Sequence, residues 1–115
     1  MDIEKRQREI CRVYSADFVG CDQHAKVGIA LHTISQLPIN GLRHPPENGT
    51  TGWYIWGGLK FSDHSDFFQP MHVEHLVEYL PKVIDFLGLP PGYRFLIDGD
   101  YVDIWFDNAL LNTAL

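Results

Sequence analysis

The stretch that decides the fold is Tyr93–Phe106, which reads YRFLIDGDYVDIWF. Two runs rich in aromatic and β-branched residues, Tyr93–Ile97 and Tyr101–Phe106, flank Asp98-Gly99, a dipeptide favoured in two-residue type I′ turns. Such a turn sets the register. With Asp98-Gly99 at its centre, Asp100 faces Ile97, Tyr101 faces Leu96, Val102 faces Phe95, Asp103 faces Arg94 and Ile104 faces Tyr93. Alternation divides the hairpin into an apolar face (Tyr93, Phe95, Ile97, Val102, Ile104, Phe106) and a half-polar one (Arg94, Leu96, Tyr101, Asp103, Trp105). The first is expected to face the core, and Asp103 is expected to form a cross-strand ion pair with Arg94.

Upstream of the hairpin, Val73, Leu76, Val77, Leu80, Val83, Ile84 and Leu87 fall within roughly 120° of one another on a helical wheel, the clearest periodicity in the chain. Pro70 suits a first helical position, and Pro81 must kink or split the helix because it cannot donate to the carbonyl of Val77. Leu89-Pro90-Pro91-Gly92 ends it. Before this helix, residues 60–69 read as loop, and Trp53–Trp56 reads as a strand closed by Gly57-Gly58. Pro38–Gly52 (PINGLRHPPENGTTG) is so dense in turn formers that it reads as one long loop. Residues 23–36 carry Val27, Ala30, Leu31 and Ile34 at helical spacing after Asp22, a candidate N-cap, and read as a helix. Residues 2–14 read as a polar helix with a thin stripe of Ile3, Ile10 and Val13. These elements predict a single α+β domain: a small antiparallel sheet that includes the hairpin at 93–106, packed against two or three helices. Residues 1–22 read as an N-terminal helical extension and 23–115 as the core.

At 115 residues the chain can bury a core without metal or disulfide staples, and 45% apolar with 21% charged residues is ordinary globular composition. No basic segment followed by an apolar one opens the sequence, and no apolar run is long enough to span a membrane. A cytoplasmic location with Cys11 and Cys21 reduced is the matching expectation. Net charge is −6, unevenly spread. Residues 61–115 hold nine acids against only Lys82 and Arg94. That surface repels phosphates, so nucleic acid is not an expected partner, whereas a basic protein is.

The chemistry-bearing patterns are weak. His72 and His75 lie three apart on the main helix and could reach one metal, with His64 as a third ligand from the preceding loop. Spacing of this kind arises readily on an ordinary solvated face. Motifs for nucleophilic, zinc-hydrolytic or phosphate-binding chemistry are not visible. Neither cysteine has an adjacent histidine or cationic niche to activate it. The expectation is therefore a non-enzyme with no catalytic residues, no metal and no cofactor. What remains are surface features. Glu74, Glu78 and Asp85 fall within about 40° on the helix, opposite its apolar seam. Tyr101 and Trp105 share the hairpin face with Asp103. Rings beside acids have the makeup of a binding hot spot, so these six residues are the candidate partner-binding set.

Several tracts carry a family likeness: Val27–Leu31 (VGIAL), Leu37–Pro46 (LPINGLRHPP), Gly52–Gly58 (GWYIWGG), Phe67–Tyr79 (FFQPMHVEHLVEY) and Leu87–Phe106 (LGLPPGYRFLIDGDYVDIWF). Together they resemble the Imm33-type bacterial immunity proteins over most of residues 27–107, leaving the basic N-terminal helix outside. The resemblance implies a protein that binds and neutralises a cognate secreted toxin, often at or near the toxin's active site. It carries over no functional residues. The chain's acidity would suit a basic toxin such as a nuclease. Two other readings stand beside it. One is a small-molecule-binding or oligomeric scaffold domain, with a pocket under loop 38–52 lined by Trp53 and Trp56, or with exposed sheet faces paired as a homodimer. The other is a small metal-assisted enzyme using His64, His72 and His75.

Overall fold

Six strands form one mixed sheet in this computed structural model, which describes residues 2–62, 64 and 66–112. They are β1 (Lys26–Ile29), β2 (Ile39–Arg43), β3 (Thr50–Gly57), β4 (Gln69–His72), β5 (Tyr93–Asp98) and β6 (Tyr101–Phe106), in the spatial order β4-β1-β3-β2-β5-β6. Helices α1 (Ile3–Val13) and α2 (Val73–Tyr79) and the 3-10 segment Pro81–Phe86 lie over one face. The class is α+β, with β5–β6 as the C-terminal hairpin. The sheet is not wholly antiparallel, because β1 runs parallel to β3 while its other neighbour, β4, is antiparallel.

Three local expectations give way to tertiary pairing. The helix expected at 23–36 is instead β1 followed by the short 3-10 turn Leu31–Thr33. Val27 and Ile29 alternate with Gly28, and both apolar side chains enter the core between β3 and β4. The loop expected at Pro38–Gly52 contains β2 and the start of β3, leaving only His44–Gly49 as connection. Strand β2 tolerates Gly41 because the ring of Phe95, directly across on β5, occupies the space a Cβ would need. Pro70 sits in edge strand β4 rather than in a first helical turn.

The main helix splits at Pro81 as its sequence requires. Helix α2 ends at Tyr79, and Pro81 opens the 3-10 segment, where its missing N–H is not needed. Leu76, Leu80, Val83, Ile84 and Leu87 are nonetheless all buried against the sheet. At about 1.5–3 kcal/mol for each such side chain, that burial outweighs the lost helical continuity.

Helix α1 faces the core differently from its expected stripe. Ile3 and Val13 are exposed, whereas Gln7 and Cys11 are buried against the Pro81–Phe86 segment and the turn after it. The reason lies in hydrogen bonds. The carbonyls that close a helical segment have no donor ahead of them in the chain. Here Gln7 Nε2 donates to Ile84 O at 2.8 Å, Cys11 Sγ to Gly88 O at 3.3 Å, Cys21 Sγ to Leu87 O at 3.3 Å and Trp53 Nε1 to Leu87 O at 3.0 Å. Arg43, only 1% exposed, completes the set. Its Nη1 donates to Val19 O at 2.6 Å and Leu89 O at 2.8 Å, and its Nε donates to Thr51 O at 2.8 Å. Every hydrogen bond of this buried guanidinium goes to a main-chain carbonyl. Burial lowers the Arg43 pKa from its ordinary value, and the carbonyl dipoles offset that cost.

Replacing Arg43 with methionine keeps most of the volume but strands these carbonyls, and is expected to cost about 3–5 kcal/mol in urea unfolding. Lysine, lacking the fork, should recover only part of it. A loss below about 1 kcal/mol for Arg43→Met would contradict the assigned role.

Burial also pushes the Cys11 and Cys21 thiols above the ordinary thiol value. The folded chain then holds these protons more tightly than the unfolded chain, so stability should fall as pH rises past that ordinary value. In mass-spectrometric alkylation at neutral pH, both thiols should react slowly in the native state and quickly in denaturant.

Candidate functional site

The hairpin turn contains Gly99-Asp100, not Asp98-Gly99. Gly99 has φ of +61° and occupies the first central position, as a type II′ turn requires, and Asp98 pairs with Tyr101. The register therefore slides by two residues from the expected one, which leaves every side chain on its expected face. It does change the partners. Asp103 lies opposite Leu96, and Arg94 lies opposite Trp105. The expected Arg94–Asp103 pair is absent; Arg94 Nη1 instead bonds Asp107 at 3.1 Å, with its guanidinium 5.5 Å from the Trp105 ring. Arg94 thus packs on Trp105, and Asp103 is exposed with no ion pair among the described residues.

Strand β6 is an outer strand, so both of its faces are thinly covered. On the face away from the helices Tyr101 is 59% and Trp105 37% exposed, with Asp103 between them. On the helix-side face only Ile104 is buried, while Phe106 remains 49% exposed, so the apolar face of the hairpin is core only in part. Asp98 and Asp100 are exposed at the turn. Rings and carboxylates here alternate along one strand that a partner can reach. The arrangement can stack on apolar groups, bind cations and accept main-chain hydrogen bonds.

Glu74, Glu78 and Asp85 belong to the helical layer, on the opposite side of the sheet from Tyr101, Asp103 and Trp105. The structure does not join the two groups into one patch. Asp85 is engaged by Arg6 Nε of α1 at 2.7 Å, and Glu74 lies 3.3 Å from His24 Nδ1. Only Glu78 of the three has no side-chain partner among the described residues.

The histidines do not converge either. His72 and His75 rings lie 5.7 Å apart beside Glu78 and Tyr79, whereas His64 lines a separate hollow with His44, Tyr54 and Phe61. Among the described residues no three His, Cys, Asp or Glu side chains gather as a metal site. A pocket shared by Trp53 and Trp56 under residues 38–52 is also not formed. The two rings are buried on opposite faces of β3, Trp53 against Phe95 and Trp56 against Phe61 and Phe68.

One feature escaped the sequence reading. Phe61, Phe67 and Phe68 fold from the loop after β3 onto Tyr54 and Trp56, forming an aromatic layer on the face away from the helices. Leu59 is 90% and Phe61 53% exposed at its rim. The signal was three phenylalanines in an otherwise polar loop.

The Imm33-like domain matches residues 6–107, most of the chain. The chain belongs to the Imm33-like domain family. The Imm33-like match takes in α1 from residue 6, which the resemblance over residues 27–107 had left out, and that helix packs into the same core. No curated protein and no solved structure matches the chain. No helix among the described residues is long and apolar enough to cross a membrane.

Tyr101 and Asp103 are exposed and Trp105 packs on Arg94, so replacing all three with alanine in this Imm33-like domain is expected to cost about 2–3 kcal/mol without unfolding it. Thermal melting checks this, and a collapse of the fold would show that the strand is structural rather than free for contact.

Proposed function

We propose that this chain is an immunity protein. It binds a cognate secreted bacterial toxin in the cytoplasm of the cell that makes both, and neutralises it by protein–protein contact without performing chemistry itself. Membership of the Imm33-like family over residues 6–107 carries this reading. The acidic balance supports it, since net charge −6 suits the capture of a basic toxin and speeds encounter. Free Cys11 and Cys21 agree with a reducing compartment. The contact surface in this proposal is the outer hairpin face, Tyr101, Asp103 and Trp105. Glu74, Glu78 and Asp85, on the other side of the sheet, fit a second and lesser role in long-range attraction.

The test is growth of cells expressing, one at a time, the secreted toxins of the cell that makes this chain, with and without the chain. Wild-type chain is expected to restore growth, and the Tyr101→Ala, Asp103→Ala, Trp105→Ala triple variant to lose protection while staying folded. Failure of the wild type to protect would count against the function. Equal protection by the triple variant would count against the surface.

A further inference from the structure

The two edges of the sheet are built differently. At one edge, β4 is four residues long, contains Pro70 and runs directly into α2. A short edge with proline resists pairing with another strand. At the other edge, β6 is six residues long, contains no proline and pairs only with β5. In an antiparallel pair closed by a two-residue turn, Asp98/Tyr101, Leu96/Asp103 and Arg94/Trp105 exchange main-chain hydrogen bonds. The Asp107 N–H to Gly92 carbonyl bond at 2.7 Å continues the same series. The alternate residues Val102, Ile104 and Phe106 therefore aim their N–H and C=O groups away from β5. Among the described residues no main-chain or side-chain group meets them.

Resting on the immunity reading above, we propose that this edge is where the toxin docks, by laying an extended segment bearing lysine or arginine along β6 as a seventh strand. The hydrogen bonds of Val102, Ile104 and Phe106 would hold the main chain of the incoming strand, a mode in which alternate side chains give the specificity. Tyr101 and Trp105 receive its apolar side chains on one face and Phe106 on the other. Charge selects the occupant. Asp98, Asp100 and Asp103 are exposed along this edge, and Arg94, the cation of the neighbouring strand, is committed to Asp107. A second copy of the chain fits poorly, because the strand it would lay down, Tyr101–Phe106, carries no lysine or arginine and leaves these carboxylates unmatched. A basic strand meets complementary charge instead.

The experiment uses the isotope-labelled full chain and, as probe, the inactivated form of the toxin against which the chain protects cells in the growth test above. In the complex, the amides of Val102, Ile104 and Phe106 are expected to gain protection from solvent exchange. Val102→Pro deletes an outward N–H and no bond to β5, and is expected to raise Kd roughly tenfold or more. Asp103→Lys should weaken binding in the same direction through charge. If thermal melting shows that Val102→Pro does not fold, the exchange pattern and Asp103→Lys decide. A complex whose three amides exchange as in the free chain, with both variants binding like wild type, overturns the docking edge and leaves the immunity reading intact. No complex with the wild-type chain removes both. A dimer of the free chain that Val102→Pro abolishes overturns the choice of occupant.

Discussion

The carbonyls of Ile84–Leu89 must be satisfied after the Pro81–Phe86 segment runs out, and the rest of the molecule is arranged to satisfy them. Gln7 and Cys11 reach them from α1, Cys21 from the link before β1, Arg43 from the end of β2 and Trp53 from β3. The main-chain N–H of Val19 adds a bond to Gly88 O at 2.8 Å. These donors come from segments far apart in the chain, so satisfying the carbonyls fixes how the helical layer sits on the sheet. A buried cation without a carboxylate would ordinarily be costly. Arg43 is tolerable because its planar fork reaches carbonyls of three separate segments at once, which a point charge could not.

That constraint divides the sheet. The helix-side face is committed to the core, with Val27, Ile29, Trp53, Ile55, Phe95 and Ile97 all buried. The other face has a lighter cover, made by the loop aromatics and by Leu110, and the cover thins out toward β6. Rigid packing at the centre and an uncovered outer strand suit a protein that recognises by a preformed edge. Little ordering would then be needed on contact, which favours affinity. Placing Trp105 over Arg94, and fixing Arg94 with Asp107, keeps the ring presented rather than collapsed inward.

How much of this could be read from residues alone follows from the range of the interactions. The two faces of the hairpin were legible because strand alternation is local, and they survive the two-residue slide of the register. The apolar seam from Leu76 to Leu87 and its break at Pro81 were legible for the same reason. Strand β1 was not, because Val27, Ala30, Leu31 and Ile34 satisfy a helical period equally well, and only pairing with β3 and β4 decides against it. Strand β2 hid behind Asn40-Gly41, which looks like a turn. In the fold, Asn40 Nδ2 donates to Gly58 O at 2.9 Å, and Phe95 covers Gly41, so both residues are compensated by distant parts of the chain. The candidate contact residues divide likewise. Tyr101, Asp103 and Trp105 share a face by simple alternation, but the side of the sheet on which Glu74, Glu78 and Asp85 lie depends on long-range packing.

The three tryptophans sit in three environments, with Trp53 and Trp56 buried on opposite faces of the sheet and Trp105 exposed on the outer strand. Fluorine NMR of the fluorotryptophan-labelled chain, titrated with the inactivated toxin, reads all three at once. If β6 is the contact strand, the Trp105 resonance shifts or broadens as the complex forms while Trp53 and Trp56 hold their positions. A complex that leaves Trp105 unchanged would contradict it.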